Sequence, residues 1–245
     1  MTKTALCLYG QPREVYRIWP RINSNLVVPN NCDVFFHTWY NPMDLSMKKL
    51  CPGHENRRFH DNLNINLPKI TNPKKYIIEQ QKTFPEKPNW KITDKTFEAC
   101  WPWASVYNKE TFIKDRNFAH QSMWYSIAKS ISLKEEYSIE NNIKYDCVIL
   151  SRFDVYPRHL NIGEYDMSIL HSHGDPKPRG EVSDWFMFSS NSNMNIVSSL
   201  YNCLDFYMNN LLSQDKITVN EAFLREHLEL YNIPVQINQN IKITF

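Results

Sequence analysis

The chain has 245 residues, with 28 Lys and Arg against 26 Asp and Glu, a net charge of +2. That length suits one α/β domain, 1–245, with an insertion, and the near-neutral balance excludes the strong basic field of a nucleic-acid binder. No run of about 18 apolar residues is present and no signal-peptide apolar region precedes the first strand, so no transmembrane segment is expected and the location read is cytoplasmic, in the host if the protein is viral. Cysteines at 7, 32, 51, 100, 147 and 203 show no CxxC pair and no zinc-like spacing. They read as reduced thiols, with Cys7, Cys32 and Cys147 inside apolar runs.

Thr4–Tyr9 reads as a buried strand, followed at once by Gly10-Gln11-Pro12-Arg13. A glycine there lets backbone approach a ligand closely, and Arg13 could meet phosphate or ribose. Gly-x-Pro is also ordinary turn chemistry, and the segment is neither a dinucleotide fingerprint nor a Walker loop. Glu14–Leu26 is predicted helical, with Val15, Ile18, Trp19 and Ile22 on one face. Cys32–Tyr40 is a second strand ending in His37, Thr38, Trp39 and Tyr40; its aromatics either stack on a base or sugar or plug the end of the sheet. A lone His37 reads better as a hydrogen-bonded core residue than as a metal ligand.

Asn41–Trp103 is rich in proline and charge and is read as an insertion or lid, with one short strand at Lys75–Ile78 and a small basic cluster at His54, Arg57, Arg58 and His60. Asn117–Asn142 is the clearest helix. Phe118, Met123, Trp124, Ile127, Ile131 and Leu133 follow helical spacing, with Lys134, Glu135 and Glu136 turned outward. His120, Gln121 and Ser122 are expected to look into a ligand cleft.

The helix leads into Lys144–Pro157, KYDCVILSRFDVYP, the stretch that organises the chain. Its apolar run, bounded by polar residues and a proline, suits a strand buried on both faces of a parallel sheet. Ligands bind beyond the carboxyl ends of such strands, where Arg152 and Asp154 stand. Asp154 could hold a hard cation and Arg152 an anion, or the two could form a structural pair. Beyond it, Met167–His171 and Asp184–Ser189 read as strands, Asn191–Asn210 and Val219–Tyr231 as helices, and Pro234–Ile237 and Ile241–Phe245 as closing strands. Asp184 opens its strand after a polar loop, a position suited to a general base or an acceptor-binding carboxylate, and equally to a turn-capping aspartate.

Taken together, ALCLYGQPR, CDVFFHTW, QSMWYSIAKS, YDCVILSRFDVYP, SDWFMFSSNSNM and EAFLREHLE resemble a family of predicted glycosyltransferases of the GT-A, or nucleotide-diphospho-sugar transferase, type found in viruses, phages and bacteria. The resemblance covers most of the chain outside about 41–103. It implies a GT-A-like, Rossmann-type, mostly parallel sheet flanked by helices, with Gly10, Gln11 and Arg13 meeting the nucleotide. It implies a UDP- or GDP-sugar donor and a glycan or glycoconjugate acceptor, with Arg152 and Asp154 at the diphosphate and Asp154 holding Mn²⁺ or Mg²⁺. The family's Asp-x-Asp reads Arg152-Phe153-Asp154 here, which puts strong metal dependence in doubt and makes Arg152 a candidate for neutralising diphosphate charge. Asp184 matches the aspartate that opens a strand after the acceptor loop, the base that deprotonates the acceptor if the enzyme inverts and a residue that orients the acceptor if it retains. Glu221 and His227 could assist the acceptor or a metal, and His171 or His173 could be a second metal ligand. Two other readings stay open: a non-catalytic nucleotide- or carbohydrate-binding module of the same fold, and a sugar-phosphate nucleotidyltransferase, against which the lack of a glycine-rich basic loop speaks.

Overall fold

A computed structural model describes residues 2–43, 62–87, 89–91, 93–99, 109–173, 182–238, 241 and 243–244. The sheet is built outward from its first strand. β1 (Thr4–Gly10) pairs in parallel with β2 (Asp33–Trp39), and β2 in parallel with β3 (Lys75–Glu79). The chain then returns through the sequence-distant β4 (Cys147–Arg152), which pairs in parallel with the other side of β1. After a two-residue strand β5 (Tyr156–Pro157), the sheet is completed by β6 (Leu170–His173), β7 (Phe186–Ser190) and β8 (Val235–Asn238). The order among the described residues is β3-β2-β1-β4-β7-β6-β8, and β7 alone runs against its neighbours β4 and β6. A short β9 (Ile243–Thr244) pairs with β5 apart from the main sheet. This is the expected α/β class with a mostly parallel sheet.

The apolar runs of β1 and β4 have no polar face because both sides of the sheet are covered. Their side chains alternate. Ala5, Cys7 and Tyr9 with Val148 and Leu150 join one core, and Leu6 and Leu8 with Cys147 and Ile149 join the other. The first core is closed by α4 (Lys109–Asn141), α5 (Asn191–Ser199), α6 (Leu204–Ser213) and α7 (Asn220–Leu230). The second is closed by α1 (Val15–Ile22) and α2 (Leu63–Thr71). A further short helix, α3, spans Asp94–Ala99. Each fully buried Leu, Ile or Phe here contributes about 1.5–3 kcal/mol relative to exposure, so these two layers are the main favourable term.

Several local expectations shift for physical reasons. The first helix keeps its predicted apolar face, but Pro20 inside it has no N–H to donate, and the chain continues as a wider π-helical turn over Asn23–Val27. The predicted Asn191–Asn210 helix is interrupted by a 3-10 turn at Leu200–Cys203. α4 starts eight residues before the predicted helix. Lys134 on it is buried rather than turned outward, its ammonium bonding Asn195 at 2.9 Å and also Asn191 and Glu135. Within the stretch read as an insertion, β3 is a strand of the main sheet and Leu63 and Leu67 of α2 are buried in the second core. The basic cluster at His54, Arg57, Arg58 and His60 lies outside the described residues, as do Cys51 and Cys100. The four described cysteines are free thiols, and burial pushes both Cys7 and Cys32 up to about 12. No described helix is long and apolar enough to cross a membrane.

Candidate functional site

The strand order reverses between β1 and β4. Connections leave β1 toward β2 on one side, and the chain comes back to β4 on the other, so the connections at the two carboxyl ends diverge, the arrangement that leaves a crevice beyond the strands. Tyr9 and Arg152 are register partners across that pair. The turn Gly10–Arg13 and the turn Arg152–Asp154 therefore open into the same crevice.

Gly10 is held on both sides of its peptide. Its N–H donates to the Ser126 hydroxyl of α4 at 2.8 Å, and its carbonyl accepts from the Thr38 hydroxyl of β2 at 2.7 Å. Its φ of +87° favours glycine, and a Cβ built on it would meet nothing within 4 Å. Backbone here faces open space, which is what close approach of a ligand requires. Behind Gly10 runs a buried relay. Ser126 Oγ lies 2.7 Å from His37 Nδ1, and His37 Nε2 lies 2.8 Å from Glu79 Oε1. An ionised carboxylate only accepts, so Nε2 carries the proton and Nδ1 accepts from Ser126. Burial pushes the His37 pKa down to about 4 against the opposing pull of Glu79, which keeps the imidazole neutral. His37 is thus a core residue that positions Gly10 through Ser126.

Across the crevice, Arg152 forks Asp154. Nε donates to Oδ1 at 2.8 Å and Nη2 to Oδ2 at 2.5 Å. Arg13 Nη1 approaches the same Oδ2 at 4.0 Å, while Arg13 Nε and Nη2 hold Gln11 Oε1 at 3.0 and 2.8 Å. Two guanidiniums thus converge on one carboxylate. Burial alone would lower the Arg152 pKa, but the charge and hydrogen bonds of Asp154 outweigh it and hold the guanidinium above its ordinary value. Its carbon also sits 5.6 Å from the Trp185 ring centroid, a cation–π contact.

The antiparallel direction of β7 brings its start, rather than its end, to this edge. Arg152 N–H donates to the Trp185 carbonyl at 3.1 Å, and the buried Tyr9 hydroxyl donates to the Asp184 carbonyl. Burial raises the Tyr9 pKa well above its usual value, and the nearby charges of Asp184 and Glu221 push it the same way. Asp184 therefore stands near the end of β1, buried at 3% exposure; Glu221 lies in the first turn of α7. His173, at the end of β6, packs against Trp185 with ring centroids 5.8 Å apart.

The crevice thus gathers Gly10, Gln11, Arg13, Arg152, Asp154 and Asp184. Other candidates lie elsewhere. His171 is stacked on Phe188, its Nε2 donating to the Asp166 carbonyl at 2.8 Å. His227 is a structural residue, donating from Nε2 to the Ile196 carbonyl and accepting at Nδ1 from Tyr207, each at 2.7 Å. Trp39 stacks on Tyr125, with centroids 5.4 Å apart, and so plugs the end of the sheet. His120, Gln121 and Ser122 bond Asn220, the Pro85 carbonyl and Gln81. Ser126 and Glu79 were missed. Nothing local in the sequence links Gly10 to a serine 116 residues away.

The donor set for Mn²⁺ or Mg²⁺ is a poor fit. Hard cations take several oxygen ligands, commonly two or more carboxylates. Here both Asp154 oxygens are engaged by Arg152, and the residue two positions earlier is a cation. Among the described residues no group of three or more His, Cys, Asp and Glu is placed to hold a metal.

No family model matches the chain, and no curated protein matches it. Among solved structures it is similar to a glycosyltransferase involved in the glycosylation of the major capsid of PBCV-1, at 8% sequence identity and a TM-score of 0.41. The match covers 98% of this chain and 82% of that one. At that distance the likeness carries no functional argument; the residues of the β1–β4 crevice carry it instead.

Proposed function

We propose that the chain is a glycosyltransferase that moves a sugar from a nucleotide-diphosphate donor to a hydroxyl of a glycan or glycoconjugate. The observation that carries the reading is the convergence, at one switch point, of a glycine backbone open to a ligand, two guanidiniums that meet Asp154, and Asp184 beside Tyr9. Cationic groups bind a diphosphate and stabilise the charge that develops on it as it leaves. A carboxylate at hydrogen-bond reach of an acceptor hydroxyl removes its proton.

In the inverting form of the reaction, the acceptor O–H proton goes to the Asp184 carboxylate and the acceptor oxygen bonds the sugar's anomeric carbon. The bond from that carbon to the phosphate oxygen breaks, and the nucleoside diphosphate departs with the electron pair. Tyr9 and Arg152 hold the backbone around Asp184, through its own carbonyl and that of Trp185. Glu221, in the first turn of α7, is assigned to orient the acceptor.

The test is release of nucleoside diphosphate from a panel of UDP- and GDP-sugars with glycan acceptors, comparing wild type with Asp184→Asn and Glu221→Gln. Asp184→Asn is expected to lower kcat at least about 100-fold with donor binding retained, in line with removal of a general base. Glu221→Gln is expected to raise KM for acceptor with a smaller effect on kcat. Turnover unaffected by Asp184→Asn would remove the assigned role, and donor binding without turnover for any sugar would favour a binding module.

A further inference from the structure

We infer that the diphosphate of the donor is held by Arg152 and Arg13 without a divalent cation, and that Asp154 is the positioning carboxylate that presents the two guanidiniums. This rests on the transferase reading for the identity of the ligand and on the geometry of the arginine pair for the mode of binding.

Arg152 spends Nε and Nη2 on Asp154 and makes no hydrogen bond through Nη1 to any described residue. That leaves one end of a planar fork to donate to an anion, in the geometry that suits phosphate oxygens. The guanidinium is fixed in place by the Asp154 fork on one side and the Trp185 ring beside it. Its side chain is 27% exposed, so it is reachable from the crevice, whereas Asp154 is only 15% exposed. Arg13 is oriented by Gln11 and comes within 4.0 Å of the same carboxylate from the β1 turn. A ligand seated over Gly10 would meet one guanidinium from each side of the crevice.

A divalent cation at Asp154 would have to break the two-point fork, and it would then sit beside the Arg152 guanidinium. An anion meets the outer end of the Arg152 guanidinium, and it needs no ligand of Asp154 to be released. Asp154 thus has the role of a brace, acting on the ligand through Arg152.

The experiment is calorimetric titration of the full-length protein with UDP and with inorganic pyrophosphate, in EDTA and in Mn²⁺. The expected result is binding in EDTA, with Kd within about threefold of that in Mn²⁺, and a loss of at least tenfold in Arg152→Gln. Arg152→Lys keeps the charge but not the fork and should fall between. Asp154→Asn should retain binding in EDTA within about tenfold, since the amide still has one oxygen to orient Arg152. Binding that appears only with Mn²⁺, or no binding of either probe, overturns the inference, and the wild-type comparison decides this even if a variant does not fold. The two readings fail separately. Sugar transfer strictly dependent on Mn²⁺ would leave the transferase and remove the arginine site, whereas pyrophosphate binding in EDTA with no sugar transferred would do the reverse.

Discussion

Ser126→Ala probes the coupling between the core and the crevice. The hydroxyl accepts the Gly10 N–H and donates to His37 Nδ1, so its removal orphans one donor and one acceptor. His37 cannot recover by changing tautomer, because Nε2 must keep its proton for Glu79. Ser126 and His37 are fully buried, and water does not substitute without opening the packing. An unsatisfied buried polar group costs about 1–3 kcal/mol, so the pair should cost roughly 2–6 kcal/mol, with almost no contribution from lost volume. Urea unfolding at pH 7.5 should show a lower midpoint with an unchanged slope. Nucleotide binding should weaken as well, since the Gly10 peptide loses the bond that holds its N–H. A stability change below about 0.5 kcal/mol, the size of an ordinary surface substitution, together with unaltered UDP binding, would refute the relay.

Acid should destabilise the fold well above the carboxylate range. Burial lowers His37 to about 4 and His120 to about 3, against an ordinary 6.5, so between those values the unfolded chain binds protons that the native one does not. Their contribution is whole above pH 6.5 and falls as pH drops toward 4, by roughly 4 kcal/mol for the two together by pH 5; a flat stability profile between pH 7.5 and 5 would show that neither is held neutral. Gly10→Ala should cost about 1–2 kcal/mol, from the positive φ and not from a clash, since the site of the new Cβ is open. Donor affinity should fall further than stability does, because the methyl enters the crevice; a thermal-shift series with UDP separates the two.

What was legible in the sequence follows from where the signals are local. β1 and β4 announce themselves because a strand covered on both faces is an unbroken apolar run, and the turns after them carry Gly10, Arg13, Arg152 and Asp154 in view. The direction of β7 was not legible, because a short buried run such as Phe186–Ser190 reads alike either way. That direction decides that Asp184, at its start, reaches the crevice. Lys134 has a helical environment that reads as solvent-facing, and only Asn191 and Asn195, supplied by another helix, turn it inward. The early part of α4 was lost for a related reason: Lys109–Asn117 is mostly charged and polar, with no apolar stripe to set a period, although Phe112 is buried. The relay Ser126–His37–Glu79 joins three elements across 89 and 42 residues, and each member alone has an ordinary structural explanation.

The Arg-Phe-Asp segment shows how a spacing acquires its meaning only in three dimensions. As letters it is half of a metal motif or a structural ion pair. In the fold, Phe153 is fully buried in the core beneath the sheet, edge-on to Phe36 with centroids 5.6 Å apart. That anchor fixes the turn at the end of β4, with Arg152 and Asp154 on either side of it free to meet in the crevice. A two-residue separation across a buried aromatic is short enough for the guanidinium to take both carboxylate oxygens, as the 2.8 and 2.5 Å bonds show. With a second aspartate at 152, the two carboxylates would repel and recruit a cation to sit between them. With arginine there, a positive charge is part of the chain itself, and it stays in place at any pH the protein meets, because arginine does not lose its proton.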